Sequence, residues 1–290
     1  MTGRAITRFD RPAPGRVRSV GSSAQRIPAA VVVVAAIAAA LLALPVVALL
    51  GKAIVDGALA GALANDAIVA ALTLSLLTTA VSLVITVVLG TPLAFVLARR
   101  RFPGSPLVEA IVDLPIVLPP SVAGLALLLA VGRRGLLGEP LGALGVELPF
   151  TTAAVILAQT FVSAPFFIRS ARTGFAGVDR DLEDAARVDG ASERELFRAI
   201  TVPLAGAALA AGLVMSWARS LGEFGATIMF AGNVEGQTQT LPLVVYSEFQ
   251  GGELDRSIAA AAILVLAAFG VLLAVRVLHW GRVFELRSLG

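Results

Sequence analysis

The sequence predicts an all-α, polytopic membrane protein with about six transmembrane helices, and three observations carry that reading. Of 290 residues, 57% are hydrophobic and only 15% charged, too little polar surface to cover a water-soluble globule. Apolar runs long enough to cross a bilayer, which takes about 20 helical residues, recur between short polar stretches. Arginines gather in some of those polar stretches and are sparse in others, the asymmetry that orients a multi-span protein.

Residues 1–27 carry Arg4, Arg8, Arg11, Arg16, Arg18 and Arg26 against one acid, Asp10, and are expected to form a disordered basic tail. A nucleic-acid arm has a similar composition, but beside an apolar run such a tail reads as topogenic and lipid-facing, so no nucleic-acid partner is expected. Residues 28–50 are too long for a signal-peptide core and read as an uncleaved first span. The second span begins at Asn65 and Asp66, stays apolar to Ala98, and is long enough to require tilt or protrusion. Along it Ser75, Thr79, Ser82 and Thr86 share one helical face. That face suits either helix packing or the wall of a pathway.

The third span, 107–131, contains DLPIVLPPSVAG, in which Pro115, Pro119 and Pro120 interrupt regular hydrogen bonding. Broken helices at membrane depth are tolerated where protein or a water-filled cavity covers the freed backbone, so Pro119 and Pro120 are candidate pathway residues. A Gly- and Pro-containing loop, 132–150, leads to the fourth span, 151–168. The fifth span starts near Pro203 and carries Arg219 and Glu223 four residues apart on one face. Charges at this depth are costly and tend to pair, which leaves a structural ion pair and a gate or anion-pathway role both open. A short outer helix is expected at 242–249 within the polar stretch 232–256. A sixth span at 257–278 precedes a C-terminal tail, 279–290.

The polar island in the second half is 179–204, DRDLEDAARVDGASERELFRAITVPL. Asp181 is expected to cap a first short helix, and Gly190 to end it in the left-handed conformation that glycine adopts without steric cost. Ser192 and Glu195 form an S-x-x-E capping box, so a second helix follows with Leu196, Phe197 and Ile200 on one face. Ala185 and Ala186, being small, let another backbone approach closely. With both termini inside, eighteen of the 23 basic residues fall in the inner segments, including those around this island, and it is expected to be cytoplasmic.

The spacing Asp184, Ala185, Ala186, Gly190, Ala191, Ile200, Pro203 resembles the signature cytoplasmic loop of ATP-binding cassette (ABC) importer permeases. The usual glutamate of that motif is Asp184 here, with Glu183 beside it. Further along, ARSLGEFGATIMFAGNVEGQTQTLPLVVY is similar to the corresponding segment of oxyanion permeases, most of all molybdate permeases, and the likeness covers about 67–278. The resemblance implies a type I importer permease fold, with 67–278 as the transmembrane domain and 179–204 as the loop that couples to the ATPase through Glu183, Asp184, Ala185, Ala186, Gly190, Ala191, Phe197 and Pro203. It also implies a homodimer of this chain, two ATP-binding cassette subunits that carry ATP and Mg, an extracytoplasmic oxyanion-binding protein, and a bacterial-type cytoplasmic membrane with both termini inside. Sulfate, thiosulfate and tungstate permeases share much of the same pattern.

Other function classes find less support in the residues. No G-x-x-x-x-G-K-[ST] is present to cradle nucleotide phosphates, so a pump built on this chain depends on a partner for ATP hydrolysis. Cysteine is absent and His279 is the single histidine, which argues against a metal centre and against cofactors held by this chain. An intramembrane enzyme would need a catalytic pair that the sparse acids do not suggest. A secondary carrier would need mid-membrane ionisable groups, for which only Asp113 and the Arg219/Glu223 pair are available.

Overall fold

The computed structural model describes residues 28–288, without the side chains of Leu63 and of residues 274–288. The basic tail expected over 1–27 lies outside the described residues, as do the side chains of Arg276, Arg282 and Arg287. Every element among the described residues is helical. The chain divides at Pro45 into two units, the first containing most of α1 (Ala29–Val55), a helix exposed on all sides up to that point.

The second unit begins with the end of α1 and continues through α2 (Ala58–Leu63), α3 (Asp66–Arg99), α4 (Ser105–Val117), α5 (Pro120–Val131), α6 (Gly138–Ala143) and α7 (Thr152–Ala176). After these come α8 (Arg180–Val188), α9 (Glu193–Leu196), a π-helical turn (Phe197–Thr201), α10 (Val202–Leu204), α11 (Gly206–Leu221), α12 (Gly225–Phe230), α13 (Leu241–Gln250) and α14 (Leu254–Ser288). Among the described residues four helices, α1, α3, α7 and the Leu254–Leu273 part of α14, are long and apolar enough to cross a membrane. A fifth span is counted if the segments Glu193–Leu204 and Gly206–Leu221, bent by 70°, are taken as one.

The expected third span is thus two helices. Leu118 and Pro119 each precede a proline, whose ring disfavours helical backbone in the residue before it, and both are extended at ψ 134 and 135. Helix α4 stops there and α5 restarts with Pro120 in its first turn, where a missing N–H costs nothing.

Helix α3 is the spine. Its 34 residues reach about 51 Å at 1.5 Å each, well beyond the ~30 Å hydrocarbon layer, a length that requires tilt or protrusion. Asn65 caps the start by accepting from the N–H groups of Ala67 and Ile68. The face with Ser75, Thr79, Ser82 and Thr86 is fully buried, so these hydroxyls serve helix packing and do not line an open pathway. Leu241 N–H donates to Ser75 Oγ at 2.7 Å, Thr160 Oγ1 to Ser82 Oγ at 3.1 Å, and Ser220 Oγ to Ser82 Oγ at 3.4 Å. Without water to compete, such bonds fix helix register, and they bind α3 to α7, α11 and the start of α13.

Three apolar clusters complete the core among the described residues. Ala123, Leu127, Ala154, Val155, Ala158 and Phe230 join α5, α7 and α12. The helix expected at 242–249 is α13, and its Leu241, Leu243 and Val244 are buried against the bundle.

Candidate functional site

The polar island folds as two short helices around a hinge. The cap of α8 is Asp179, which accepts from Asp181 N–H at 3.0 Å; the expected cap, Asp181, sits in the first turn, where its charge favours the helix N-terminus. At the other end Ala191 N–H reaches Ala186 O at 3.0 Å and Gly190 N–H reaches Arg187 O at 3.1 Å, the paired bonds of a Schellman motif. Both depend on Gly190, whose φ is +92°. The capping box forms in both directions, with Glu195 N–H donating to Ser192 Oγ at 3.3 Å and Ser192 N–H donating to Glu195 Oε2 at 2.9 Å.

The sequence-selected residues separate into two faces. Asp184, Ala185 and Gly190 are exposed, Ala186 and Ala191 are half-buried, and Leu182 and Val188 add exposed apolar surface to the same short helix. Pro203 is exposed where α10 resumes the helix. Phe197 instead turns inward, 5.1 Å from the Phe95 ring in an edge-on arrangement and 6.0 Å from Phe175. Glu183 is also turned inward and only 5% exposed, so it does not share the surface with Asp184.

Electrostatics tighten the loop from outside. Arg187 Nε donates to Glu193 Oε1 and Arg187 Nη1 to Asp184 Oδ1, both at 2.7 Å. The Arg187 guanidinium holds the Glu193 carboxyl below its ordinary range, and Glu193 in turn raises Arg187. Hydrogen bonds from the Ser192 hydroxyl and N–H likewise lower Glu195. A polar cavity of about 290 Å³ opens between the end of α3 and the loop, lined by Arg99, Arg100, Arg180, Asp184 and Arg187 among others.

Inside, Arg99 Nη2 lies 2.6 Å from Glu183 Oε1, and Thr201 Oγ1 donates to the same oxygen at 2.8 Å. Arg99 Nη1 also donates to Val178 O at 3.4 Å, while its Nε is buried without a partner. Sequence reasoning assigned no such role to Arg99 or to Thr201.

The second group of candidates lies where α5 meets α12. Pro119 and Pro120 are exposed at the break before α5. Glu223 is 1% exposed and accepts from Ala226 N–H at 2.7 Å, which caps α12. Arg219 Nη1 lies 2.6 Å from Glu223 Oε2, an ion-pair distance without hydrogen-bond angles, and Oε2 is otherwise unpartnered. The Arg219 side chain keeps 27% exposure. Asp113, the other acid open to a carrier role, lies 3.4 Å from Arg169, and Glu109 lies 2.8 Å from Arg172, so α4 is ion-paired to the end of α7. Among the described residues no group of acids or histidines is arranged to hold a metal ion.

Residues 90–280 match the family described as binding-protein-dependent transport system inner membrane component. The chain is 44% identical over 205 residues to the molybdenum transport system permease protein ModB of Mycobacterium tuberculosis, covering 71% of this chain and 77% of that protein. Against ModB of Escherichia coli it is 38% identical over 206 residues, covering 70% and 90%. Among solved structures, a bacterial ABC transporter involved in the import of the acidic polysaccharide alginate aligns with a TM-score of 0.61 at 18% identity, over 75% of this chain and 80% of that one, a likeness of fold. A polytopic helical bundle, a family match across the loop and both candidate groups, and relatives that align over most of their own length lead to one conclusion: the chain belongs to the inner-membrane components of binding-protein-dependent transport systems, the permeases of ABC importers.

Proposed function

We propose that this permease imports an oxyanion, molybdate first, as a homodimer with two ATP-binding cassette subunits and an extracytoplasmic oxyanion-binding protein. The observation that carries the reading is 38–44% identity to permeases named for molybdenum transport over about 70% of this chain, beside a family match that spans residues 90–280. Both termini and the 179–204 loop face the cytoplasm of a bacterial cell, and the chain crosses the membrane six times, with α4 and α5 together filling the third passage. Positive charge supports this orientation, since Arg99, Arg100 and Arg101 end α3 on the same side as the loop.

In this scheme the exposed face of α8, with Asp184, Ala185 and the Gly190 hinge, together with Ala191 and Pro203, seats in the ATPase subunit. ATP closes the ATPase dimer and draws the two loops together, the transmembrane halves open outward, and the anion enters from the binding protein. Hydrolysis returns the pathway to the inside. Pro119, Pro120 and Arg219 are the pathway candidates, and weak contacts suit them because a deep site would trap the cargo. Glu223 holds Arg219 in place and offsets its charge.

Reconstituted with its ATPase and a molybdate-binding protein, the permease is expected to move labelled molybdate only with ATP. Uptake driven by an ion gradient with the ATPase omitted would refute the importer reading. ATP-driven uptake of sulfate and not molybdate would change the anion alone. For orientation, a single Cys at Asp189 in the cysteine-free chain is expected to react with membrane-impermeant reagent only from inside.

A further inference from the structure

We infer that Arg99, Glu183 and Thr201 form a positioning tie that makes the loop move as one body with α3 and with the entry to α11. This rests on the importer reading and adds to it the internal connection by which motion at the loop reaches the membrane. Three elements meet at a single oxygen, Glu183 Oε1: the last residue of α3 at 2.6 Å, and the π-helical turn at 2.8 Å through Thr201. The Arg99 and Glu183 side chains keep 11% and 6% exposure, and Thr201 is completely buried. A pair so enclosed is little screened by salt, and removing one partner leaves an uncompensated charge, so the contact resists parting.

The geometry gives the tie two outlets. Through Arg99 it grips α3, whose hydroxyl face is hydrogen-bonded to α7, α11 and α13. Through Thr201 it grips the turn that feeds α10 and then α11, the helix that ends at Arg219 and Leu221. Phe197 reinforces the same junction by packing against Phe95 of α3 and Phe175 of α7. Glu183 is thus a positioning residue, distinct from the exposed face of α8 that meets the ATPase.

The test uses full complexes of permease, ATPase and binding protein, purified as assembled particles. Glu183→Gln keeps the side-chain shape and an acceptor for Thr201 but removes the charge facing Arg99, and Thr201→Val removes only the hydroxyl. Both are expected to assemble and hydrolyse ATP, while molybdate moved per ATP falls about fivefold or more, the lower end of coupling between linked sites. An unchanged ratio in assembled Glu183→Gln complexes would overturn the tie. Should that variant fail to assemble, the double replacement of Arg99 and Glu183 by leucine removes both charges together. An uncoupled double variant upholds the tie, and a native ratio in it overturns the tie.

A second readout needs no transport. With spin labels at Arg194 in the loop and Val84 on the exposed side of α3, the distance is expected to stay fixed on adding nucleotide to native complexes and to shift in Glu183→Gln. Equal behaviour of the two would overturn the tie. Absence of ATP-driven uptake by the native complex would strike the importer reading itself, which the spin-label distances leave separate.

Discussion

Replacing Gly190 isolates backbone conformation from packing, because a Cβ built at this position meets nothing within 4 Å while φ stands at +92°. An L-residue held there carries strain of about 1–2 kcal/mol, and a β-branched one more. If the chain relaxes φ instead, it gives up the Ala191 and Gly190 hydrogen bonds of the Schellman motif, each worth about 0.5–1.5 kcal/mol net. Either route costs Gly190→Val about 1–3 kcal/mol, or roughly a five- to 150-fold rise in the open form of the loop. Asparagine tolerates the left-handed region, so the expected order is Gly, then Asn, then Ala, then Val. Limited proteolysis of the loop reads the open fraction, and co-purification with the ATPase subunit reads its consequence. Valine behaving like asparagine in both assays would refute the conformational argument, and normal ATPase capture and transport by Gly190→Val would refute the coupling role of the loop.

Glu223→Ala removes the acceptor for Ala226 N–H and leaves Arg219 unpaired; a loss of about 3 kcal/mol is expected, the low end for a broken buried pair because Arg219 keeps 27% exposure. A double Ala variant at Arg219 and Glu223 more stable than Glu223→Ala marks the pair as structural, and lost transport at restored stability marks Arg219 as a pathway residue. Gly124→Ala places a methyl 2.6 Å from Ala226 O and 2.7 Å from Met229 Cβ, so denaturation in detergent should show a loss of about 1–3 kcal/mol, absent from Gly270→Ala where nothing lies within 4 Å. Because Glu195 is held below its ordinary value of 4.5, its contribution is full above that value and lost as pH falls through the lowered one. Carboxyl carbon-13 titration of Ser192→Ala should therefore move Glu195 up toward 4.5, and an unmoved titration would refute the capping-box account.

What was legible in the sequence was what local chemistry decides. Ser192 and Glu195 are three residues apart and recognise each other without help from the rest of the chain, and Gly190 announces a left-handed residue wherever the neighbours are helical. The prolines at 119 and 120 announced the break between α4 and α5 for the same reason. Asp179 and Asp181 are two residues apart with the same side chain, so composition could not choose the cap. Nonlocal partners were out of reach: Arg99 and Glu183 are 84 residues apart, and only the folded bundle shows that the glutamate beside Asp184 faces inward. The hydroxyl face of α3 was visible as a stripe, yet whether a stripe meets helices or water depends on neighbours that periodicity does not name.

The π-helical turn at Phe197–Thr201 sets the aim of side chains far downstream. Val202 N–H bonds to Phe197 O, one residue further back than in an α-helix, so the turn holds one extra residue. Deleting a residue there would restore an ordinary α-helical turn and rotate all that follows by about 100°. Because α11 leaves the axis of Glu193–Leu204 at a 70° bend, its whole direction would change, carrying Arg219 and Glu223 to a new place with their own chemistry intact. The bearing of Arg219 is thus a matter of counting residues, decided nearly twenty positions before it.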